Sequence, residues 1–271
     1  MTRTARTPAR AAARAATRAP AVAIWLLLAA AVAPAIATAD PLPARDSADL
    51  AAPGHGSIGV VAPLRHAVSG RLELEVHPLG FLLAPHVTAR LVHRTHSPWR
   101  ITGVYGLSFP TPAMKFTRTY LFPTDGTPIP WYIVPSLGAI ASHGARHVLS
   151  VRADLAAGLA IGDGDPEPLD TYAPLELLFA PALFGYRANL GVDYDRALTP
   201  WLRARASLDA YFYGDRFAAR AALELDLRLT RRTRLSAGAS YWDSDQHAID
   251  ADFQPRRSHD LYPLFDVIYA Y

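Results

Sequence analysis

Residues 201–229, WLRARASLDAYFYGDRFAARAALELDLRL, divide into two faces when read with a period of two. Leu202, Ala204, Ala206, Leu208, Ala210 and Phe212 share one face. After Gly214-Asp215 that face continues through Phe217, Ala219, Ala221, Leu223, Leu225, Leu227 and Leu229. The opposite face carries Arg203, Arg205, Ser207, Asp209, Tyr211, Arg216, Ala218, Arg220, Ala222, Glu224, Asp226 and Arg228. Successive side chains of a strand point to opposite sides of a sheet, so this alternation predicts two strands. Gly214 supplies the positive φ that a two-residue hairpin turn requires. Closing the hairpin there sets Tyr213 against Arg216 and Phe212 against Phe217. Asp209 then faces Arg220, Arg205 faces Glu224, and Arg203 faces Asp226. All three charged pairs are of opposite sign, and a slip by one residue would mix the faces.

One strand earlier, Tyr186, Ala188, Leu190, Val192 and Tyr194 alternate with Arg187, Asn189, Gly191, Asp193 and Asp195. If residues 196–200 form the connecting loop, Asp193 faces Arg203 and Arg187 faces Asp209. Further strands are expected at 58–65, 71–77, 86–93, 100–109, 131–142, 147–161 and 172–183. In 147–161 the alternation is clearest, with Arg152 and Asp154 on its polar side. With the strands near the C-terminus the count reaches about twelve, ten being the runner-up. Residues 110–130 are long for a loop in a compact domain; they read as an exposed connection, with a lumen-folding plug as the alternative. Residues 243–260 read as a polar loop.

The first 39 residues read as a cleavable export signal. Arg3, Arg6, Arg10, Arg14 and Arg18 precede a short apolar core, and Ala37-Thr38-Ala39 forms an A-x-A site before Asp40. An uncleaved anchor helix is the alternative. Five of the 27 Lys and Arg lie in the signal, leaving 22 against 24 acidic residues, so the remainder is slightly acidic. That balance gives no basic footprint for nucleic acid. The chain has no cysteine, so an oxidising compartment would be tolerated without disulfides. Residues 40–56 contain few large apolar side chains and read as a flexible lead, which leaves 57–271 as one all-β domain.

A soluble sandwich and a membrane barrel share the two-faced strand. Two features favour the barrel. Thirteen residues from Phe217 to Leu229 would reach roughly 43 Å, enough to cross an apolar layer when tilted. Aromatic residues gather at strand ends (Tyr186, Tyr194, Trp201, Phe212, Tyr213, Phe217, Tyr241 and Trp242), where interfacial girdles would lie. No apolar stretch of about 20 residues follows the signal, so only a closed barrel could span a membrane.

The final strand, LYPLFDVIYAY at 261–271, aligns Phe265, Val267, Tyr269 and Tyr271 on one face. Here the chain resembles the Gram-negative outer-membrane β-barrels, whose assembly signal is a terminal strand of alternating apolar residues ending in an aromatic, usually Phe. The resemblance implies a closed antiparallel transmembrane β-barrel, integral to the outer membrane. It also implies contact with outer-membrane lipid and lipopolysaccharide, and handling by periplasmic chaperones and the barrel-assembly machinery. It singles out no subfamily.

No catalytic constellation stands out, and neither a metal nor a cofactor is expected. His93 and His96 fall on opposite faces of a strand. His143 and His147 flank a turn and could share a cation. Residues 162–170, GDGDPEPLD, begin like a calcium loop but lack its turn glycine and closing glutamate. Asp193-Tyr-Asp195 with Asp245-Gln-His247 resembles the paired motifs of omptin-type outer-membrane proteases, but the topology sets the two pairs at opposite ends. What remains is a lumen lined by Arg152, Asp154, Arg187, Asp193, Arg203, Arg205, Asp209, Arg220, Glu224, Asp226 and Arg228. The expectation is a narrow passive channel for small polar solutes; the alternative is a structural or assembly barrel without transport.

Overall fold

The structure, a computed structural model, describes residues 44–94, 98–121, 128–164, 173–247 and 255–271. The export signal, His96 and most of the 162–170 acidic stretch lie outside the described residues. Among the described residues thirteen strands follow one another: β1 Gly56–Gly59, β2 Leu64–Ser69, β3 Leu72–Val76, β4 His86–Arg94, β5 Trp99–Ser108, β6 Trp131–His143 and β7 His147–Ala157. They continue as β8 Leu159–Ile161, β9 Tyr186–Ala197, β10 Leu202–Tyr213, β11 Arg216–Arg228, β12 Thr233–His247 and β13 Pro255–Ala270. Each pairs antiparallel with its neighbours, β5 with β6 and β13 with β1, so the sheet closes on itself. Strand β8 continues the stave begun by β7 and pairs with the start of β6, giving a closed barrel of twelve staves.

The β10–β11 register is the one the sequence dictates. Tyr213 faces Arg216, Asp209 faces Arg220, Arg205 faces Glu224 and Arg203 faces Asp226. Gly214 holds the turn at φ +57°. The β9–β10 register differs from expectation. Asp193 faces Ser207 rather than Arg203, and Asp209 faces Gly191 rather than Arg187. Strand β9 runs on to Ala197, so the connection is shorter than a loop over 196–200.

Other expectations change in physically telling ways. Residues 58–65 are not one strand but the hairpin between β1 and β2. The buried carboxylate of Asp266 anchors its tip, accepting hydrogen bonds from the amides of Val60 (2.8 Å), Val61 (3.0 Å) and Ala62 (2.7 Å). The 243–260 stretch is largely strand, shared by the ends of β12 and β13. Residues 172–183 do not form a strand: Ala173–Phe184 is a helix, α3, after two short helices, α1 (Pro78–Leu83) and α2 (Thr111–Phe116). Its segment, APLELLFAPALF, is apolar nearly all round, as suits a helix buried on several sides.

The exterior settles sandwich against barrel. Leu208, Leu223 and Phe265 are 64%, 69% and 58% exposed, while the ionic residues beside them in sequence point inward, Asp209 and Asp266 buried and Glu224 half-buried. Apolar outside and charged inside is the reverse of a soluble core. Trp131, Tyr186, Phe212 and Tyr241 stand outward at one rim, and Trp99, Tyr194 and Tyr269 toward the other. Tyr213 and Trp242 do not belong to these girdles; both are buried and face the lumen. Among the described residues no helix is long and apolar enough to cross a membrane.

Candidate functional site: a doubly plugged lumen

By the observed registers, all eleven residues singled out from the sequence alternate to the inward face. The centre is a ladder of ion pairs. Arg152 donates to Asp209 at 2.7 Å and lies 3.3 Å from Asp193. Arg205 donates to Asp193 at 2.7 Å, Arg203 to Asp195, and Arg220 to Asp209 at 3.5 Å. Nearer the long-loop end, Arg187 lies 3.5 Å from Asp154. On β11, Asp226 takes a bond from Arg234 at 3.0 Å. Asp193 and Arg203 are only 1% and 2% exposed. At such burial each charge must be held by a partner, because an uncompensated ion there costs several kcal/mol.

Two segments fill this lumen, and the sequence exposed neither. The first is the presumed lead. Instead of trailing free, residues 44–50 cross the barrel interior, with Ser47 and Ala48 buried. On one wall Arg45 reaches Glu224 (3.3 Å), Asp226 (3.5 Å) and the hydroxyl of Ser236 (3.0 Å), and its amide donates to Asp195. Asp46 pairs with Arg205 (2.8 Å) and, toward the far wall, with Arg65 (2.5 Å). There the Ala48 amide donates to Ser142 at 2.8 Å, and Thr102 donates to the Ala48 carbonyl at 2.6 Å. Arg90, paired with Glu73 at 2.6 Å, also donates to the Ser47 carbonyl. The segment is held by polar bonds, so a search for apolar packing overlooks it.

The second plug is α3 with α2. Phe179 and Ala182 of α3 pack with Ala113 and Met114 of α2 on Tyr132, Val134 and Ala156 of the wall. The opposite side of α3 packs through Leu177 and Ala180 on Tyr213, Ala218 and Trp242. Glu176, fully buried, takes a hydrogen bond from Arg216, and Arg187 donates to the Leu177 carbonyl at 3.1 Å. The helix therefore bridges the mouth at the long-loop end, from β6 and β7 to β10–β12. Gly158 permits this approach: a Cβ there would lie 2.0 Å from the Pro181 carbonyl oxygen. Residues 111–121, expected as an exposed connection, instead bury Thr111, Ala113 and Met114 beneath α3.

The remaining candidates disperse. The Asp193 and Asp195 carboxylates are engaged by Arg205 and Arg203 in the ladder. Asp245 lies at the other end of the barrel, accepting from the Phe217 amide at 3.3 Å. His143 packs against Trp99 with the two rings tilted, and His147 bonds to the Tyr194 hydroxyl at 2.8 Å. Among the described residues no group of three or more metal-binding side chains converges.

The electrostatics of Asp46 set the grip of the first plug. Burial alone would push its carboxyl up, but the guanidiniums of Arg205, Arg65 and Arg45 outweigh burial and hold it well below the usual carboxylate range. A depressed folded value contributes docking free energy above the ordinary value of about 4, lost only as pH falls through the lower folded value. The hold of the segment on the barrel wall should thus stay at its neutral-pH strength down to about pH 4 and weaken only in stronger acid. Protection of residues 44–50 from added protease across pH checks this, and an Asp46-dependent loss of protection already near pH 6 would contradict it.

A closed antiparallel barrel with an apolar exterior and a charged, plugged interior defines the class: a membrane-spanning β-barrel of the outer-membrane type. No protein-family model and no curated protein matches the chain. Comparison with solved structures returns outer-membrane proteins at low similarity. OmpT (in-vitro folded), an outer membrane protein of Vibrio cholerae, is 7% identical, with a TM-score of 0.41 over 79% of this chain and 64% of that one. The present chain thus spans a little under two thirds of that protein's length. The COG4313 outer membrane channel from Pseudomonas putida F1 is 10% identical, with a TM-score of 0.42 over 85% of this chain and 100% of that one.

Proposed function

We propose that the chain is an integral outer-membrane protein whose lumen is a narrow, plug-gated conduit for small polar solutes. The observation that carries this reading is the first plug. It crosses the charge ladder on reversible ionic and hydrogen bonds, and a cavity of about 310 Å³ lies on each side of it. Segments so held can shift without breaking an apolar core, since charged groups regain water when they leave. The exterior apolar band would face lipid, with the aromatic rims near lipopolysaccharide and lipid headgroups. The same reading assigns Phe265, Val267, Tyr269 and Tyr271 to recognition by the assembly machinery. Tyr271 additionally joins the seam, exchanging backbone hydrogen bonds of 3.0 Å with Gly56.

The second reading, a structural barrel without transport, is favoured by the ladder itself, since mutual pairing fills much of the interior. Planar-bilayer recording separates the two. The conduit reading expects small, discrete conductance with weak ion preference, because charges of both signs line the path. Liposomes carrying the protein should swell in small sugars and not in large ones. Silence in both assays would leave the structural barrel as the better account.

A further inference from the structure

The cavity between the two plugs has a chemistry of its own. It measures about 310 Å³, and Arg65, Arg90, Arg152, Arg187, Asp154 and Asn189 dominate its polar lining. Asp46 of the first plug closes one side. At the other, Ser136 is followed inward along β6 by Val134, which carries the apolar cluster beneath α3. Each guanidinium already has a carboxylate: Arg65 meets Asp46, Arg90 meets Glu73, Arg152 meets Asp209 and Arg187 meets Asp154. Yet the Nε–H groups of Arg90, Arg152 and Arg187 are buried with no hydrogen-bond partner, and so is the Oδ1 of Asn189, a residue more than nine-tenths buried. Asn189 spends its amide on Asp154 at 2.9 Å and keeps the carbonyl oxygen free.

The space is half open to the lumen, and its lining offers hydrogen-bond donors and acceptors together, so it suits an occupant that both accepts and donates hydrogen bonds. The ionic balance specifies its charge. With every guanidinium matched by a carboxylate, a net anion would meet Asp46 and Asp154, and a net cation would meet the arginines. A hydroxyl group satisfies both needs, accepting from a guanidinium N–H of the lining and donating to a carboxylate oxygen. The volume corresponds to roughly ten waters at about 30 Å³ each, enough for a six-carbon polyol with a few waters. We propose that this chamber is a binding site for small, uncharged polyhydroxylated solutes of monosaccharide size. It deepens the conduit reading, on which it relies for the solute's route in and out.

The test uses the full-length protein in detergent, with glucose as the probe and gluconate as its charged counterpart, titrated by saturation-transfer NMR and calorimetry. Two variants perturb the chamber differently. Asn189→Leu removes the free acceptor, and Thr88→Met fills space on a wall position while leaving every ion pair in place. The expected result is saturable glucose binding, stronger than that of gluconate, and weakened about tenfold or more in both variants because buried polar groups or volume are lost. Each variant is first checked for wild-type heat-modifiable migration on a detergent gel. If Asn189→Leu fails that check, Thr88→Met alone decides. No saturable binding in wild type, gluconate binding as tight as glucose, or undiminished binding in a folded variant overturns the assignment. Ion current from the same preparation tests the conduit separately. Current without glucose binding removes the chamber and leaves the conduit; binding without current does the opposite.

Discussion

If the lumen conducts as proposed, deleting residues 44–50 should raise the single-channel conductance of the reconstituted barrel by roughly a factor of three or more, because it clears a segment that crosses a twelve-strand lumen. The segment spans from Glu224 and Asp226 on one wall to Ser142 and Thr102 on the other. Its removal leaves Arg205 with Asp193 but takes Asp46 from Arg65, which keeps Glu75 at 3.0 Å. The wall's own pairs thus survive, and the barrel should still fold. A tether gives the reciprocal experiment. The chain has no cysteine, so Ala48→Cys with Ser142→Cys can join plug to wall where the Ala48 amide already meets the Ser142 hydroxyl. Oxidised, that protein should stay at its lowest conductance, even in acid that opens the wild type; reduction should restore opening. Unchanged current in the deletion, or full opening while the tether is closed, would mean that this segment does not control the lumen.

The parts of the fold that could be read from sequence are those in which one local rule leaves one answer. The β10–β11 hairpin is the clear case: Gly214-Asp215 admits a two-residue turn, and a one-residue slip would turn Leu223 inward. The β9–β10 connection lacks that constraint. In the structure Asp193 faces Ser207, whereas the 196–200 loop would set it against Arg203. The difference is an even shift, which keeps every apolar residue outside and every charged residue inside. It also keeps opposite charges near one another, for Arg203 finds Asp195 diagonally and Arg205 finds Asp193. Alternation is blind to even shifts, and alternating charges of both signs satisfy several registers nearly equally.

Both plugs were illegible for different reasons. In α3 the run from Leu175 to Leu183 has one charge and is interrupted by Pro181, with Pro174 just before it, so neither period can be assigned from pattern. Glu176 was the signal available: a lone acid in an apolar segment needs a cation, and Arg216 is where it finds one. Beside the Arg45 and Asp46 side chains, the first plug is bound through its backbone, by the Arg45 and Ala48 amides and the Ser47 and Ala48 carbonyls. Backbone groups carry no residue code, so a small polar segment that fills a charged lumen looks in sequence like one that fills nothing. The acceptors and donors opposite it were visible as alternation in β2–β4, where Arg65, Glu73, Glu75 and Arg90 face inward.

Arg203→Asp should cost about 3–5 kcal/mol of folding stability, read as a lower urea midpoint for the heat-modifiable form in detergent micelles. The change places a third carboxylate beside Asp195, which Arg203 contacts, and Asp226, which it faces across the strands. The value of the experiment lies in which second change repairs it. In the observed register Asp195→Arg should recover part of the loss, because the new guanidinium meets the introduced carboxylate at the cost of one like-charge neighbour, Arg205. Asp226→Arg should recover less, since Arg45 and Arg234 already converge on that position and would both be repelled. Asp193→Arg should worsen the damage. Asp193 is the shared partner of Arg152 and Arg205, and its reversal would crowd three guanidiniums in a buried place. Were Asp193 instead opposite Arg203, as the longer loop would have it, Asp193→Arg would be the best of the three repairs. The order of the three double variants therefore reads the β9–β10 register directly, and a repair led by Asp193→Arg would show that these strands are paired in a different register from the one the structure sets.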